Sequence, residues 1–171
     1  MWFAGWHTGP VQQTITADID ALPSRLFPVV ADLATYPHWL DLVTKVDPDG
    51  DAWFVTLRAK VGPFARSKRL RMVRTVHQEP TTVRFERQEQ DGRNHSPWVM
   101  DATISARTTP AGPSPAGPSP AGSTSAPRTG SHVLIVLSYG GRLWSGPLEA
   151  VLGSQVSNGV PRLQQYVTAP V

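Results

Sequence analysis

The sequence predicts an α+β fold in which a run of antiparallel strands is followed by one long C-terminal helix. Apolar and polar residues alternate along successive segments, as they do in half-buried strands. The last segment instead repeats its apolar residues every three or four positions, which is the period of an amphipathic helix. With 171 residues, 40% of them hydrophobic, the chain is long enough for one domain with a sizeable core.

The first strand is predicted from Val11 to Ile19, where every second residue is apolar in the second half of the segment. Two short helical segments follow, one opened by Pro23 and one that contains Tyr36 and Pro37. The residues Asp47 to Gly50 have the composition of a turn. Alternation then predicts further strands near 53–61, 69–76, 83–86, 98–106 and 131–143.

The predicted C-terminal helix starts near Pro147, because proline is well tolerated in a first helical turn. Its apolar face is formed by Leu148, Val151, Leu152, Val156, Val160, Leu163, Tyr166 and Val167. Gly159 and Pro161 weaken the middle of this helix, so we expect a bend or a break near Asn158.

A proline-rich segment interrupts the strand pattern. Residues 108–129 contain 6 prolines and no aliphatic side chain larger than alanine, so they cannot bury enough apolar surface to offset the entropy of ordering. We interpret 108–130 as a disordered surface loop, rich in Pro, Ala, Gly and Ser, that is inserted between two strands of a single domain at 11–169. Residues 1–10 are an N-terminal extension in this interpretation.

Several function classes are disfavoured by the absence of their motifs. The chain has no cysteine, so a disulfide framework, a thiolate metal site and a cysteine nucleophile are excluded. The five histidines are scattered, and the glycine-rich nucleotide-binding loops and the Gly-x-Ser-x-Gly nucleophile motif are absent. We therefore predict no metal and no cofactor. Without a readable secretory signal or a membrane-spanning run, we expect a soluble, cytoplasmic protein.

The positive charges are concentrated in one part of the chain. Between Ala52 and Gln78 there are seven basic residues and no acidic residue. The seven are Arg58, Lys60, Arg66, Lys68, Arg69, Arg71 and Arg74. They form either the solvated face of a strand pair or a surface that attracts an anionic ligand or an acidic protein. Nucleic acid is a weaker interpretation, because no nucleic-acid-binding motif accompanies the charges.

Three local patterns accompany this order of elements, namely Asp32, Pro37 and Trp39 within Ala31 to Leu40, then Val61 to Ala65, then Lys68 to Met72. Together with the order of the elements, they resemble the START-like helix-grip (SRPBCC) superfamily, and within it the polyketide cyclase/dehydrase and lipid-transport family. The resemblance implies a curved antiparallel sheet of about seven strands, wrapped around the long C-terminal helix, with two short helices after the first strand. It also implies an internal cavity for a lipid, a polyketide or a quinone-like molecule.

Within that fold, the alternation of the strands and the apolar face of the helix select the residues that point inward. The predicted cavity residues are Trp39, Leu57, Leu70, Met72, Arg74, Phe85, Trp98, Met100, Tyr139, Leu152, Val156 and Tyr166. For Trp39 two roles stay open, either guarding the cavity mouth or fixing the second short helix to the sheet.

The sequence favours a non-catalytic binding or carrier protein for a hydrophobic small molecule, because no convergent acid–base set is readable. No catalytic residue is predicted. A polyketide cyclase or dehydratase is the main alternative, with Tyr36, Arg74, Glu86, Asp101 and Tyr139 as polar candidates. In that case the partner would be an acidic carrier protein, docked at Arg66, Lys68, Arg69 and Arg71. A regulatory interaction module that uses the same basic strand pair is a further alternative.

Overall fold

Seven antiparallel strands form one sheet, and three helical segments pack on one of its faces, which we call the inner face. The computed structural model describes residues 11–61, 63–109, 128–140 and 147–169. The strands are β1 (Val11–Ile19), β2 (Val43–Asp49), β3 (Ala52–Val61), β4 (Phe64–Gln78), β5 (Thr82–Arg87), β6 (Trp98–Thr109) and β7 (Arg128–Tyr139). The helical segments are α1 (Pro23–Val30), a 3₁₀ helix (Leu33–His38) and α2 (Pro147–Thr168).

The strands lie in the order β1-β7-β6-β5-β4-β3-β2, so each strand from β2 to β7 pairs with its neighbour in the chain. The remaining pairing joins the first and last strands of the chain, β1 and β7, with Val11 opposite Tyr139. This curved antiparallel sheet with a long C-terminal helix and two short helices after β1 confirms the predicted α+β architecture.

One strand was not predicted. Asp47, Pro48 and Asp49, expected in a turn, belong to β2 and pair with β3, where Pro48 lies opposite Trp53. Because β2 is an edge strand, a proline that lacks a backbone N–H is tolerated there. The turn itself is shorter and contains Gly50, whose positive φ of 60° suits a residue without a side chain.

The two short helices follow one another closely and are held together by hydrogen bonds. Pro23 stands in the first turn of α1, where its missing N–H costs nothing. Asp32 caps the 3₁₀ helix, since its Oδ1 accepts a hydrogen bond from the Ala34 N–H at 2.9 Å. The Tyr36 hydroxyl then donates to the Val30 carbonyl at 2.9 Å, which connects the 3₁₀ helix to the end of α1.

The C-terminal helix continues through Asn158, so the predicted bend or break does not interrupt its helical hydrogen-bonding pattern. Gly159 has a packing reason instead. A Cβ at this position would lie 3.0 Å from the Trp39 carbonyl oxygen, which is closer than ordinary packing allows. The glycine therefore lets α2 approach the chain at Trp39 and Leu40, and an Arg162–Asp41 ion pair lies beside this contact.

The proline-rich segment joins β6 to β7. Thr108 pairs with Thr129 and Thr109 with Arg128, so both strands extend into the range 108–130 that was expected to be a loop. Residues 110–127 lie outside the described residues, as does the predicted extension at 1–10. Strand β7 ends at Tyr139, earlier than the predicted end at residue 143. Of the helices in the described ranges, none is long and apolar enough to cross a membrane.

Candidate functional site

The inner face of the sheet and the helices enclose the hydrophobic core, and described residues of this core line two small cavities. Alternation along the strands turns Leu70 and Met72 of β4, Phe85 of β5 and Met100 of β6 to this face, where all four are buried. Leu163 and Val167 of α2 are buried on the opposite side of the core. The smaller cavity lies between the sheet and α2, and the larger one lies between the sheet and residues 33–42.

The larger cavity has a volume of about 50 Å³ and lies against strands β2 to β7. Six of the predicted cavity residues form part of its wall, namely Leu57, Leu70, Met72, Phe85, Trp98 and Met100. The smaller cavity, of about 30 Å³, lies between β1, β7 and α2, with Val160 and Leu163 of the helix in its wall. Trp39 and Met100 are the predicted residues that border it.

The two cavities are neighbours, because Tyr36, Leu40, Met100 and Leu137 line both of them. The surfaces that the described residues present to either cavity are apolar. Each volume accommodates only a few water molecules, and a pocket for a drug-sized ligand measures roughly 300–1,000 Å³. The described space is therefore apolar and smaller than a pocket for a drug-sized ligand.

Tyr36 is a polar candidate from the sequence, and its environment favours a structural role. The residue is buried, and its hydroxyl donates its hydrogen bond to the Val30 carbonyl. Burial raises the pKa of this hydroxyl well above its ordinary value, and the Asp32 carboxylate adds to the increase. Tyr36 thus contributes the apolar face of its ring to both cavities.

Three predicted cavity residues, Arg74, Tyr139 and Tyr166, are absent from both cavity walls, and Arg74 and Tyr166 lie at the protein surface. Arg74 follows the inward parity of Met72 but lies exposed beyond the core, where Nη1 donates to the Ala31 carbonyl at 3.1 Å and the guanidinium carbon lies 5.6 Å from the Trp53 ring centroid. The residue therefore supports the C-terminal end of α1. Tyr166 is 40% exposed and stacks on His38, with ring centroids 5.3 Å apart, because the buried stripe of α2 passes through the neighbouring Val167.

Of the remaining predicted cavity residues, two have a packing role and two have side chains outside the described part of the molecule. Trp39 is buried, contacts the Tyr36 ring at 4.5 Å and lies against Gly159 of α2, so it packs the 3₁₀ helix on the C-terminal helix. Tyr139 is buried beside Trp98, with ring centroids 4.9 Å apart, and is not among the wall residues of either cavity. The side chains of Leu152 and Val156 lie outside the described part of the molecule.

The acidic candidates for catalysis lie on the outer face of the sheet. Arg84 pairs with Glu86 at 2.8 Å and with Asp101 at 3.6 Å, in a cross-strand cluster away from the core. The sequence also allows a cross-strand ion pair between Arg74 and Glu86, whereas in the structure Glu86 pairs with Arg84. Neither Glu86 nor Asp101 can therefore transfer a proton inside either cavity.

The arrangement of the basic residues on β4 gives little support to a docking surface for an acidic carrier protein. Arg69 and Arg71 point outward and pair with Asp47 and Asp49 of β2, at 3.5 and 2.7 Å. Lys68 instead points toward the inner side, and the side chain of Arg66 lies outside the described residues. The sequence did not predict strand β2, whose aspartates neutralise these two arginines. The segment 52–78 therefore looked more strongly basic than it is in the folded protein.

A charged cluster lies at one end of the inner face. Lys68 faces the same side as Leu70, and its Nζ lies 5.6 Å from the centroid of the Tyr139 ring. Arg87 is only 6% exposed and donates from Nε to Glu89 at 2.7 Å and from Nη1 to the Ser96 carbonyl at 3.2 Å. Burial lowers the pKa of the Lys68 ammonium, the Arg87 charge lowers it further, and Glu89 acts in the opposite direction.

The cluster also contains a buried donor without an acceptor. The indole nitrogen of Trp98 is inaccessible to solvent and has no hydrogen-bond partner among the described residues. Trp98 is 92% buried, lines the larger cavity and contacts the same Tyr139 ring as Lys68. Buried indole donors usually find an acceptor, so this group requires an explanation.

Several site residues escaped sequence reasoning. Lys68 is separated from Leu70 and Met72 by steps of two residues, so it lies on the same face of β4 as these inward residues. This spacing was the signal that could have identified it. The other residues shared by or bordering the cavities are ordinary apolar side chains, and no local pattern separates them from the rest of the core. They include Leu40, Leu42, Val43, Val55, Leu137 and Val160.

The sequence matches no protein-family model and no curated protein, whereas many solved structures match the fold. A START superfamily protein from Mycobacterium smegmatis has a TM-score of 0.60 at 14% identity, and the match covers 93% of this chain and 97% of that chain. A conserved protein from Geobacillus kaustophilus has a TM-score of 0.58 at 10% identity, covering 92% and 95%.

A third similar structure is the di-domain ARO/CYC BexL from the BE-7585A biosynthetic pathway. Its TM-score is 0.52 at 14% identity, and the match covers 96% of this chain and 52% of that longer chain. Identities of this size show the fold alone. The chain therefore has the START-like helix-grip fold that its sequence resembles, and its function has to be argued from its own site.

Proposed function

We propose that this protein binds a hydrophobic small molecule, such as a lipid, a polyketide or a quinone-like compound, in the space between the inner face of the sheet and α2. The observation that carries the proposal is the pair of adjoining cavities whose described walls are apolar. A closed core of this fold would pack without them, since protein interiors leave few voids larger than a water molecule.

Binding requires the two cavities to join and widen. Tyr36, Leu40, Met100 and Leu137 stand between them, and the tyrosine is held by its hydrogen bond to Val30. Met100 is unbranched and has several rotatable bonds, so it can change rotamer at a small energetic cost. A ligand that displaces the Met100 and Leu137 side chains would therefore convert two voids into one pocket.

A carrier fits the polar groups better than a cyclase does. Cyclisation and dehydration of a polyketide need an acid or a base in contact with the substrate. Of the polar candidates, Glu86 and Asp101 lie in the outer cluster with Arg84, and the Tyr36 hydroxyl is engaged with Val30. The likeness to BexL concerns the fold, so it adds no catalytic residue to this chain.

The test is a fluorescence titration with N-phenyl-1-naphthylamine, a neutral apolar probe that brightens when it leaves water. We expect saturable binding to the wild-type protein. Leu137→Trp, which fills the boundary between the two cavities, should weaken binding by about tenfold or more, equivalent to roughly 1.4 kcal/mol. Leu134→Trp is the matched control, because Leu134 lies on the outer-face parity of the same strand.

Two results would contradict the proposal. One is a wild-type protein that gives no saturable signal. The other is equal binding by the Leu137→Trp and wild-type proteins, because the probe would then occupy a surface outside the described cavities. Circular dichroism of both variants shows whether either substitution has unfolded the protein.

A further inference from the structure

The charged cluster beside the larger cavity points to the chemistry of the ligand. Lys68 is half-buried on the inner face, opposite Leu57 of β3 and two residues from Leu70 of β4, and both of these leucines line the larger cavity. The ammonium group thus lies at the border of an apolar space. A charge held in such a place is costly unless a partner or a ligand compensates it.

No described acid forms an ion pair with Lys68. Glu89 is the nearby acid, and it is engaged by Arg87 at 2.7 Å and by the backbone N–H of Arg71 at 3.3 Å. No described carboxylate lies within ion-pair distance of the Lys68 ammonium, which lies over the Tyr139 ring at 5.6 Å from its centroid. Two cations and one anion therefore leave a single excess positive charge at this end of the cavity.

The unpartnered indole N–H of Trp98 is a second, independent observation at the same place. Trp98 and Lys68 both contact the Tyr139 ring, and Trp98 is itself part of the cavity wall. An ammonium group and an indole N–H are both hydrogen-bond donors, so what is missing is an acceptor with a negative charge.

We propose that Lys68 and Trp98 bind the carboxylate head group of an amphipathic ligand whose apolar chain occupies the cavity, and that the Arg87–Glu89 pair holds this end of the site in place. The proposal rests on the proposed function and adds to it the ligand class. A carboxylate matches the single excess charge, and its hydrogen bonds to charged donors are among the stronger ones in proteins.

The experiment compares ligands of one chain length by displacement of N-phenyl-1-naphthylamine from the full-length protein at neutral pH. Dodecanoic acid is anionic, 1-dodecanol is neutral and dodecylamine is cationic under these conditions. We expect dodecanoate to bind roughly tenfold or more tightly than dodecanol, as a charge-assisted hydrogen bond implies, and dodecylammonium to bind more weakly than either.

Variants then assign the preference to Lys68. Lys68→Met should reduce the dodecanoate-to-dodecanol ratio to about unity, and Lys68→Arg should retain most of it, since the charge is kept. Trp98→Phe removes the indole donor, keeps an aromatic ring and should lower the ratio partially. Lys45→Met is the matched control, because Lys45 is exposed and pairs with Asp47 at 2.7 Å on the outer face.

The outcomes separate the two proposals. If the naphthylamine probe does not bind at all, both the proposed function and the head-group site are contradicted. If it binds and is displaced equally by the acid, the alcohol and the amine, the cavity function stands and the carboxylate site is overturned. A ratio that Lys68→Met and Lys45→Met reduce equally would also overturn it, because the preference would then come from the overall charge of the protein.

Discussion

The charged side chains on the two faces of the sheet differ in their exposure and in their ion pairing. On the outer face, arginines pair across strands with acids that are themselves partly exposed, as Arg69 does with Asp47 and Arg84 with Asp101. On the inner face, the Arg87–Glu89 pair is largely buried, and Lys68 beside it has no described acid within ion-pair distance. Paired, exposed charges keep a surface soluble, whereas a half-buried charge without an ion-pair partner suggests a ligand.

The largest difference between the faces should appear when an aromatic ring is removed. Phe85 is fully buried on the inner face and meets the Trp53 ring edge-on at 5.6 Å. We expect Phe85→Ala to lower the free energy of unfolding by about 3–5 kcal/mol, measured by urea denaturation. Phe54→Ala on the outer face, where Phe54 stacks under Arg69 at 4.1 Å, should cost about 1 kcal/mol. Equal losses would contradict the assignment of the faces.

The acidic partners of the two arginine pairs provide the next comparison. Glu89→Gln leaves the 6% exposed Arg87 without its counterion and should lower the free energy of unfolding by about 3 kcal/mol. Glu86→Gln breaks the pair with Arg84, whose side chains are 41% and 36% exposed, and should cost less than about 1 kcal/mol. If the outer substitution is the more damaging one in urea denaturation, the contrast between the faces is wrong.

On the C-terminal helix, a substitution at a buried position should likewise cost more stability than one at an exposed position. Gly159→Leu puts a side chain against the Trp39 carbonyl and should destabilise the protein by about 1–3 kcal/mol, despite the better helix propensity of leucine. Asn158→Leu is its neighbour and control, because Asn158 is exposed and the substitution should be nearly neutral. Thermal unfolding followed by circular dichroism measures both. A stabilised Gly159→Leu protein would contradict the close contact.

The smallest effect concerns acid and the exposed outer face. The hydrogen bond from His132 holds the pKa of Asp18 below its usual value of 3.8, and the Arg107 charge contributes in the same direction. A carboxyl group whose pKa is lower in the folded state stabilises the fold above the unfolded value and loses this contribution as the pH falls below it. We therefore expect Asp18→Asn to flatten the loss of stability below about pH 4, in urea titrations at several pH values. A steeper acid dependence in the variant would contradict this pairing.

Much of the fold was predictable because the period of two is a strong local signal. It placed Leu70, Met72, Phe85 and Met100 on the inner face, where all of them are buried. The signal failed for β2, since Pro48 between two aspartates is typical of a turn and only the edge position makes it acceptable in a strand. Parity also says nothing about where a core ends, which is why Arg74 was expected inside the cavity.

The site itself was less predictable, because it depends on contacts between distant elements. The acids that neutralise Arg69 and Arg71 come from β2, and the closeness of Lys68 to Tyr139 depends on how β4 and β7 lie in the curved sheet. On α2, a rotation of one position separates the exposed Tyr166 from the buried Val167. Contacts between distant strands and the exact rotation of a helix cannot be predicted from the sequence of a single segment.

A crystal structure with 12-bromododecanoic acid tests the central claim most directly, because bromine can be located by its anomalous signal. The account predicts a bromine peak between the sheet and α2, near Met100 and Leu137, with the carboxylate beside Lys68 and the Trp98 indole N–H. A bromine peak on the outer face of the sheet would contradict it. So would two unchanged, separate cavities in crystals of a protein that binds the acid in solution.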